Sequence, residues 1–251
     1  MARVAGAGRL VAAVASAALL AGAVVGCGSG SGFGSGFGSG SGSGEGKPSA
    51  TSQVVVRTSP IADQLAKLPT EVDGPRIVVG KPDAPRTAQV LVDPKCGYCA
   101  RFEEAGGESL LKLAVAGQVK IEYLLASFLD QGGVSGSAKA VNALRASADA
   151  GKFAEYHAAV FASQPKGKFT EELLLKIADR VPGLRGAEFD GAVKEQKYEG
   201  WVGEAEKGFE ATGARATPMV LLEGKPVGSK DGSLFDAQAF TRTLKDAGVG
   251  A

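Results

Sequence analysis

In the 251-residue chain, the stretch "DPKCGYCARF" (93–102) carries two of the three cysteines, Cys96 and Cys99, two residues apart. Several chemistries use a CxxC pair, and most need partners that this chain lacks. A structural zinc site takes four ligands, yet there is one histidine, His157, and no second CxxC. Covalent haem attachment puts His directly after the second cysteine, and position 100 is Ala. An iron–sulfur cluster also lacks its ligands. We therefore expect no metal and no organic cofactor. Two possibilities remain, a static disulfide and a pair that opens and closes in use. A static bridge across so short a loop stabilises little, because the entropic benefit grows with loop length.

The flanking pattern predicts how the pair is held. Val90-Leu91-Val92 reads as a buried strand, Asp93-Pro94 as a turn, and the residues from the first cysteine onward as a helix. Cys96 then sits at a helix N-terminus, where free N–H groups and the helix dipole favour thiolate over thiol. Cys96 is the expected nucleophile and Cys99, one turn further in, the resolving thiol. Tyr98, inside the motif, is expected on the surface beside the reactive sulfur.

Far downstream, Thr217-Pro218 precedes the apolar run Met219–Leu222 and a Glu223-Gly224-Lys225 turn. Proline is tolerated at the start of a strand because it need not donate there. A strand–CxxC–helix unit combined with a helix, Ala-Thr-Pro, a strand and a Gly-containing hairpin resembles the thioredoxin superfamily. From about Arg76 to Gly248 the chain is similar to a DsbA-like thiol-disulfide oxidoreductase, lipoprotein-type and actinobacterial-looking. The resemblance implies an α/β thioredoxin fold with an inserted helical domain. It also implies a cis peptide bond before Pro218, and a loop in which Thr217, Pro218 and Met219 face the CxxC and meet the substrate chain by strand-like pairing.

The middle of the chain fits that frame. "QVKIEYLLASFL" reads as a strand, followed by helical periodicity through Val141, Leu144, Phe153, Tyr156, Val160 and Phe161. Thr170 is placed to cap the next helix, which ends before Pro182, and a further helical pattern runs over 187–213. The insert is expected at about 130–212 and the last helix at 236–247. His157 lies in an amphipathic helix of the insert and is expected to take no direct part in the chemistry; Tyr198 and Trp201 are expected to be core, and Lys166 and Lys168, flanking Gly167, to be solvated.

The N-terminal quarter reads differently. Residues 1–26, with Arg3 and Arg9 before an Ala/Val/Leu-rich run, read as a secretory signal. Val24-Val25-Gly26-Cys27 resembles a bacterial lipobox, so Cys27 is the expected lipidation site. Residues 28–46 are almost entirely Gly and Ser, a tether whose typical span is on the order of 25 Å. The expected organisation is a signal over 1–26, lipidated Cys27 and tether over 27–50, an extension over 51–75 and the thioredoxin-fold domain over 76–251. The mature domain then keeps only Cys96 and Cys99, outside the cytoplasm, where disulfides persist. A formal net charge of +1, and no Lys/Arg cluster with interleaved aromatics, exclude nucleic acid as a partner.

The expected function is a membrane-tethered thiol-disulfide oxidoreductase on the outer face of the cell membrane. Its partners would be secreted proteins with free or mispaired cysteines, together with a membrane redox partner that resets the pair. Two departures from the resembled family stand out. Relatives often keep a buried acid six positions before the first cysteine, where this chain has Val90; Asp93, Lys95 and Glu103 are the candidate replacements for proton transfer. The Gly97-Tyr98 dipeptide and Thr217 resemble disulfide isomerases of the DsbC kind; disulfide formation is the expected direction, with isomerisation, reduction and a non-catalytic binding protein with a structural disulfide as the alternatives.

Overall fold

The computed structural model describes residues 55–250, and the expected signal, Cys27 and tether lie outside the described residues. The sheet is built on two strands with apolar second halves, β3 (Thr87–Val92) and β4 (Lys120–Leu125). They pair in parallel from Thr87↔Lys120 to Val92↔Leu125. Parallel strands are normally covered on both faces, which matches the burial of Leu91, Val92, Leu124 and Leu125. β2 (Arg76–Val79) adds antiparallel to β4, and β5 (Met219–Leu222) adds antiparallel to β3. With β1 (Thr70–Asp73) and β6 (Lys225–Pro226) at the edges, the order among the described residues is β1-β2-β4-β3-β5-β6.

The expected start of the fold at Arg76 needs correction. β1 pairs with β2 from Thr70↔Val79 to Asp73↔Arg76, and Leu65 of α1 (Ala62–Leu65) is buried in the main core. Residues 62–73 are thus part of the domain. Their signal was weak because β1 buries no side chain, and a polar four-residue edge strand shows no apolar alternation.

The β3–β4 crossover contains α2 (Gly97–Phe102), a π-helical turn (Glu103–Gly107) and α3 (Glu108–Val115). Between β4 and β5 lies a helical block: α4 (Ser137–Asp149), α5 (Phe153–Ala162), α6 (Glu171–Ala178), α7 (Ala187–Lys194) and α8 (Glu199–Ala211). The continuous periodicity over 137–165 resolves into two helices because Gly151 takes φ 65° just past the end of α4. Likewise Gln196, at φ 52°, separates α7 from α8. Thr170 caps α6 by accepting from the Leu173 N–H. The last helix, α9 (Ala237–Asp246), is capped by Asp236 and buries Phe240 and Leu244.

His157 lies in the core, with Tyr123, Phe153 and Phe161 ringed around it. Its Nε2 is 3.1 Å from the buried Glu103 Oε1, close enough for an ion pair but misaligned for a hydrogen bond. Tyr198 and Trp201 correct the expectation of core. They pack at its margin, partly exposed, with the Arg145 guanidinium 4.6 Å and 5.7 Å from their rings, and Trp201 Nε1 donates to Gly74 O at 2.7 Å.

Candidate active site

β3 ends at Val92 and the chain reverses at once. The Asp93 carboxylate accepts from the Lys95 N–H at 2.8 Å, and the Cys96 N–H donates to the Asp93 carbonyl at 2.9 Å. This turn delivers Cys96 to the N-cap of α2 in extended conformation (φ −73°, ψ 116°), and its carbonyl accepts the first helical bond, from Ala100. The unsatisfied N–H groups of the first turn therefore face its sulfur. Cys99 follows one turn later and is fully buried, whereas Cys96 is partly exposed; both are free thiols.

A second segment closes over the pair. The Leu91↔Met219 register of β3 and β5 brings the residues just before β5 beside the start of α2. The Thr217–Pro218 bond there is cis, and the Cys96 sulfur lies 3.4 Å from the Thr217 carbonyl oxygen, which a Cys96 thiol can donate to when protonated. The Thr217 hydroxyl is buried and near enough to lower both thiols, yet it has no partner that satisfies hydrogen-bond geometry. Cys96, Cys99, Thr217 and Pro218 are thus brought together. Met219 continues into β5, partly buried against Leu91 and Leu124.

These surroundings split the two thiols. The Cys96 pKa falls to about 5, first because the Cys99 thiol donates to it, then through Thr217 and the N–H groups of Cys99 and Tyr98, all against the cost of burial. Burial pushes the Cys99 thiol far up, and the neighbouring Cys96 charge adds to the rise. At neutral pH the pair is therefore one thiolate and one thiol, with the thiolate on the accessible sulfur.

Beneath the pair, Asp93 is fully buried, and burial raises its carboxyl to about 6. It accepts from the Ser137 hydroxyl and from the Lys95 and Leu129 N–H groups, which hold that rise in check, while the Cys96 charge adds to it. Of the three candidate replacements for the missing acid at Val90, Asp93 is the one in electrostatic contact with Cys96. Glu103 faces His157, and Lys95 donates to Pro165 O at 2.7 Å. Tyr98 is 62% exposed, as its place in the motif implied, with its ring 5.9 Å from that of Phe235 and the Arg101 guanidinium near both.

Two contacts carried no local signal. Ser137, at the start of α4, reaches Asp93 across 44 residues. Gln164, just past the end of α5, donates to Pro94 O at 2.7 Å and to Cys96 O at 3.1 Å, tying the helical block to the CxxC turn.

The thioredoxin family profile matches residues 73–243. The chain belongs to the thioredoxin family. Its fold is DsbA-like among solved structures. Over 72% of this chain and 99% of that one, it resembles the MdbA thiol-disulfide oxidoreductase of Corynebacterium diphtheriae (22% identity, TM-score 0.58). BdbD of Bacillus subtilis matches over 71% of this chain and 96% of its own (19% identity, TM-score 0.58), and DsbA of Chlamydia trachomatis over 71% and 97% (17% identity, TM-score 0.57). The expected fold, a thioredoxin core with an inserted helical block, is the observed one. A curated protein, a hydroxyurea phosphotransferase of Kitasatospora aureofaciens, is 71% identical over 31 residues, which is 12% of this chain and 9% of that protein. The chain thus spans about a tenth of the length of the curated relative it matches.

Proposed function

We propose that this thioredoxin-family chain is an extracytoplasmic, membrane-tethered thiol-disulfide oxidoreductase that forms disulfides in secreted proteins. The observation that carries the reading is the split of the pair, an accessible Cys96 with pKa about 5 beside a buried Cys99 held as thiol. Stabilising the thiolate stabilises the reduced pair, which makes the Cys96–Cys99 disulfide an oxidant. A closed structural disulfide would have no use for an ionised, accessible sulfur.

In the oxidised site a client thiolate attacks the Cys96 sulfur. The Cys96–Cys99 bond breaks, a client–Cys96 disulfide forms, and Cys99 leaves as a thiolate that takes a proton. Asp93, whose carboxyl burial raises to about 6, supplies that proton from its protonated fraction. A second client thiolate then attacks the client sulfur, completing the client disulfide and releasing Cys96 as a thiolate. A membrane redox partner that accepts two electrons restores the pair. The Thr217 carbonyl and the Pro218 loop face the attacked sulfur and receive the extended client, and Tyr98 offers it an exposed ring. The sequence around Cys27 supports lipid anchoring. Among the described residues no helix is long and apolar enough to cross a membrane.

Isomerisation is the second reading, favoured by Gly97-Tyr98 and by Thr217. The test is a Cys99→Ser variant, which is expected to accumulate a mixed disulfide with client proteins through Cys96, together with the reduction potential of the native pair. A potential more oxidising than glutathione with turnover of a reduced dithiol supports disulfide formation. Rescue of a scrambled client without net oxidation supports isomerisation. A pair that does not exchange within hours overturns both.

A further inference from the structure

The helical block contributes a groove that the exchange chemistry does not use. Between residues 55–57 and the turn joining α5 to α6 lies an open cavity of about 1010 Å³. Both walls are fixed. The Arg57 N–H donates to the Ser163 hydroxyl at 2.9 Å, and Gln164 and Lys95 tie the 164–165 turn to the CxxC loop. The 164–165 end of the groove is therefore held against the backbone of the turn that carries Cys96.

Its charge is one-sided. Arg57, Lys166, Lys168 and Lys176 line it against a single carboxylate, Glu172. All four cations are exposed, and among the described residues none forms an ion pair. The chain as a whole is nearly neutral, with 28 Lys and Arg against 27 Asp and Glu, so this excess is local. Unpaired like charges around a concavity repel one another and concentrate field lines on it, drawing in an anionic occupant. The chain's own N-terminal stretch does not fit, since 28–54 contains one acid, Glu45, and one base, Lys47. A client chain engaged at Cys96 has the groove next to it, because the lining residue Gln164 donates to the Cys96 carbonyl.

Building on the oxidoreductase reading, we propose that the groove lined by Arg57, Lys166, Lys168 and Lys176 binds an acidic stretch of the client chain next to its reacting cysteine. It gives the enzyme a preference for clients with Asp/Glu-rich flanks, acting on encounter rate more than on the chemical step.

The experiment uses Cys99→Ser protein and synthetic peptides with one cysteine flanked by Glu, Gln or Lys residues, each activated as a mixed disulfide with thionitrobenzoate. The Cys96 thiolate attacks the peptide sulfur, the Cys96–peptide disulfide forms, and thionitrobenzoate leaves as a coloured thiolate whose release is timed. Dividing each rate by the rate with mercaptoethanol removes the intrinsic reactivity of the peptide. The Glu peptide is expected to react about tenfold faster than the Lys peptide at low salt, with the gap closing in about 0.5 M NaCl. The triple variant Lys166→Glu, Lys168→Glu, Lys176→Glu, whose changes are all on the surface, is expected to reverse the order. Equal normalised rates for the three peptides overturn the groove proposal while leaving the exchange reading intact. No reaction with the Gln peptide overturns the exchange reading itself. If the triple variant instead loses binding to phosphatidylglycerol vesicles and no charge preference among peptides exists, the groove serves lipid headgroups and the proposal fails.

Discussion

Because Cys96 ionises at about pH 5 and Cys99 stays protonated far above it, the reduced site holds one proton at neutral pH where an ordinary dithiol holds two. The potential should therefore fall by about 60 mV per pH unit below pH 5, where two protons accompany two electrons, and by only about 30 mV above it. Glutathione-buffered equilibria between pH 4 and 8 would show the break, and a single slope of about 60 mV throughout would mean that Cys96 is an ordinary thiol. Asp93→Asn separates the two steps of exchange. The attack at Cys96 should be little changed, while release of Cys99 slows by roughly a hundredfold at pH 7, read by rapid-quench thiol trapping. The helix-start placement of Cys96 was legible because it depends on neighbours, a β-branched run, an Asx turn and a helical pattern within about ten residues. Asp93 was legible only as one of three candidates for proton transfer, and its burial was not. An aspartate before a proline reads as an exposed turn residue, and nothing nearby announces that Ser137, 44 positions on, folds over it.

Elements carry this burial. α4 begins at Ser137 because Asp130 gathers the chain before it, its carboxylate accepting from the N–H groups of Ser135, Gly136 and Ala138 at 2.9 to 3.0 Å. Gly136 can occupy that approach because it takes φ 72°, and a Cβ there would lie 2.1 Å from the Phe169 carbonyl. Asp130→Ala leaves three backbone N–H groups and the Ser135 hydroxyl without their acceptor and should cost about 2 to 3 kcal/mol, seen as a lower urea midpoint at unchanged slope. Since α4 also presents Ser137 to Asp93, the same variant should disturb thiol reactivity. A destabilised protein with native Cys96 alkylation kinetics would show that the helix start and the site are independent. Strands of the sheet centre and helices with explicit caps, such as α6, were readable in advance. β1 was not, because a short edge strand is defined by its partner rather than by its own pattern.

At the scale of the whole molecule the redox state and the stability of the fold are linked by a closed cycle. If the folded environment favours the reduced pair over the disulfide relative to the unfolded chain, then reduction must stabilise the fold by the same amount, about 1.4 kcal/mol for each 30 mV. The pH dependence follows from the two shifts. Cys96 has a folded pKa of about 5 against an ordinary 9.0, so between those values the unfolded reduced chain holds a proton that the folded one has released. Stability of the reduced form therefore rises with pH across that window and is lost as pH falls toward 5. Above pH 9 the sign inverts, because the unfolded chain releases the Cys99 proton while the folded chain keeps it. The oxidised protein has neither thiol and shows neither slope. The melting temperature of the reduced protein should thus exceed that of the oxidised protein at pH 7, with the gap widening from pH 5 to a maximum near pH 9 and narrowing beyond it. Paired calorimetric scans of the two redox forms test this, and a gap independent of pH would mean that the thiols do not differ in the folded state as the arrangement at α2 requires.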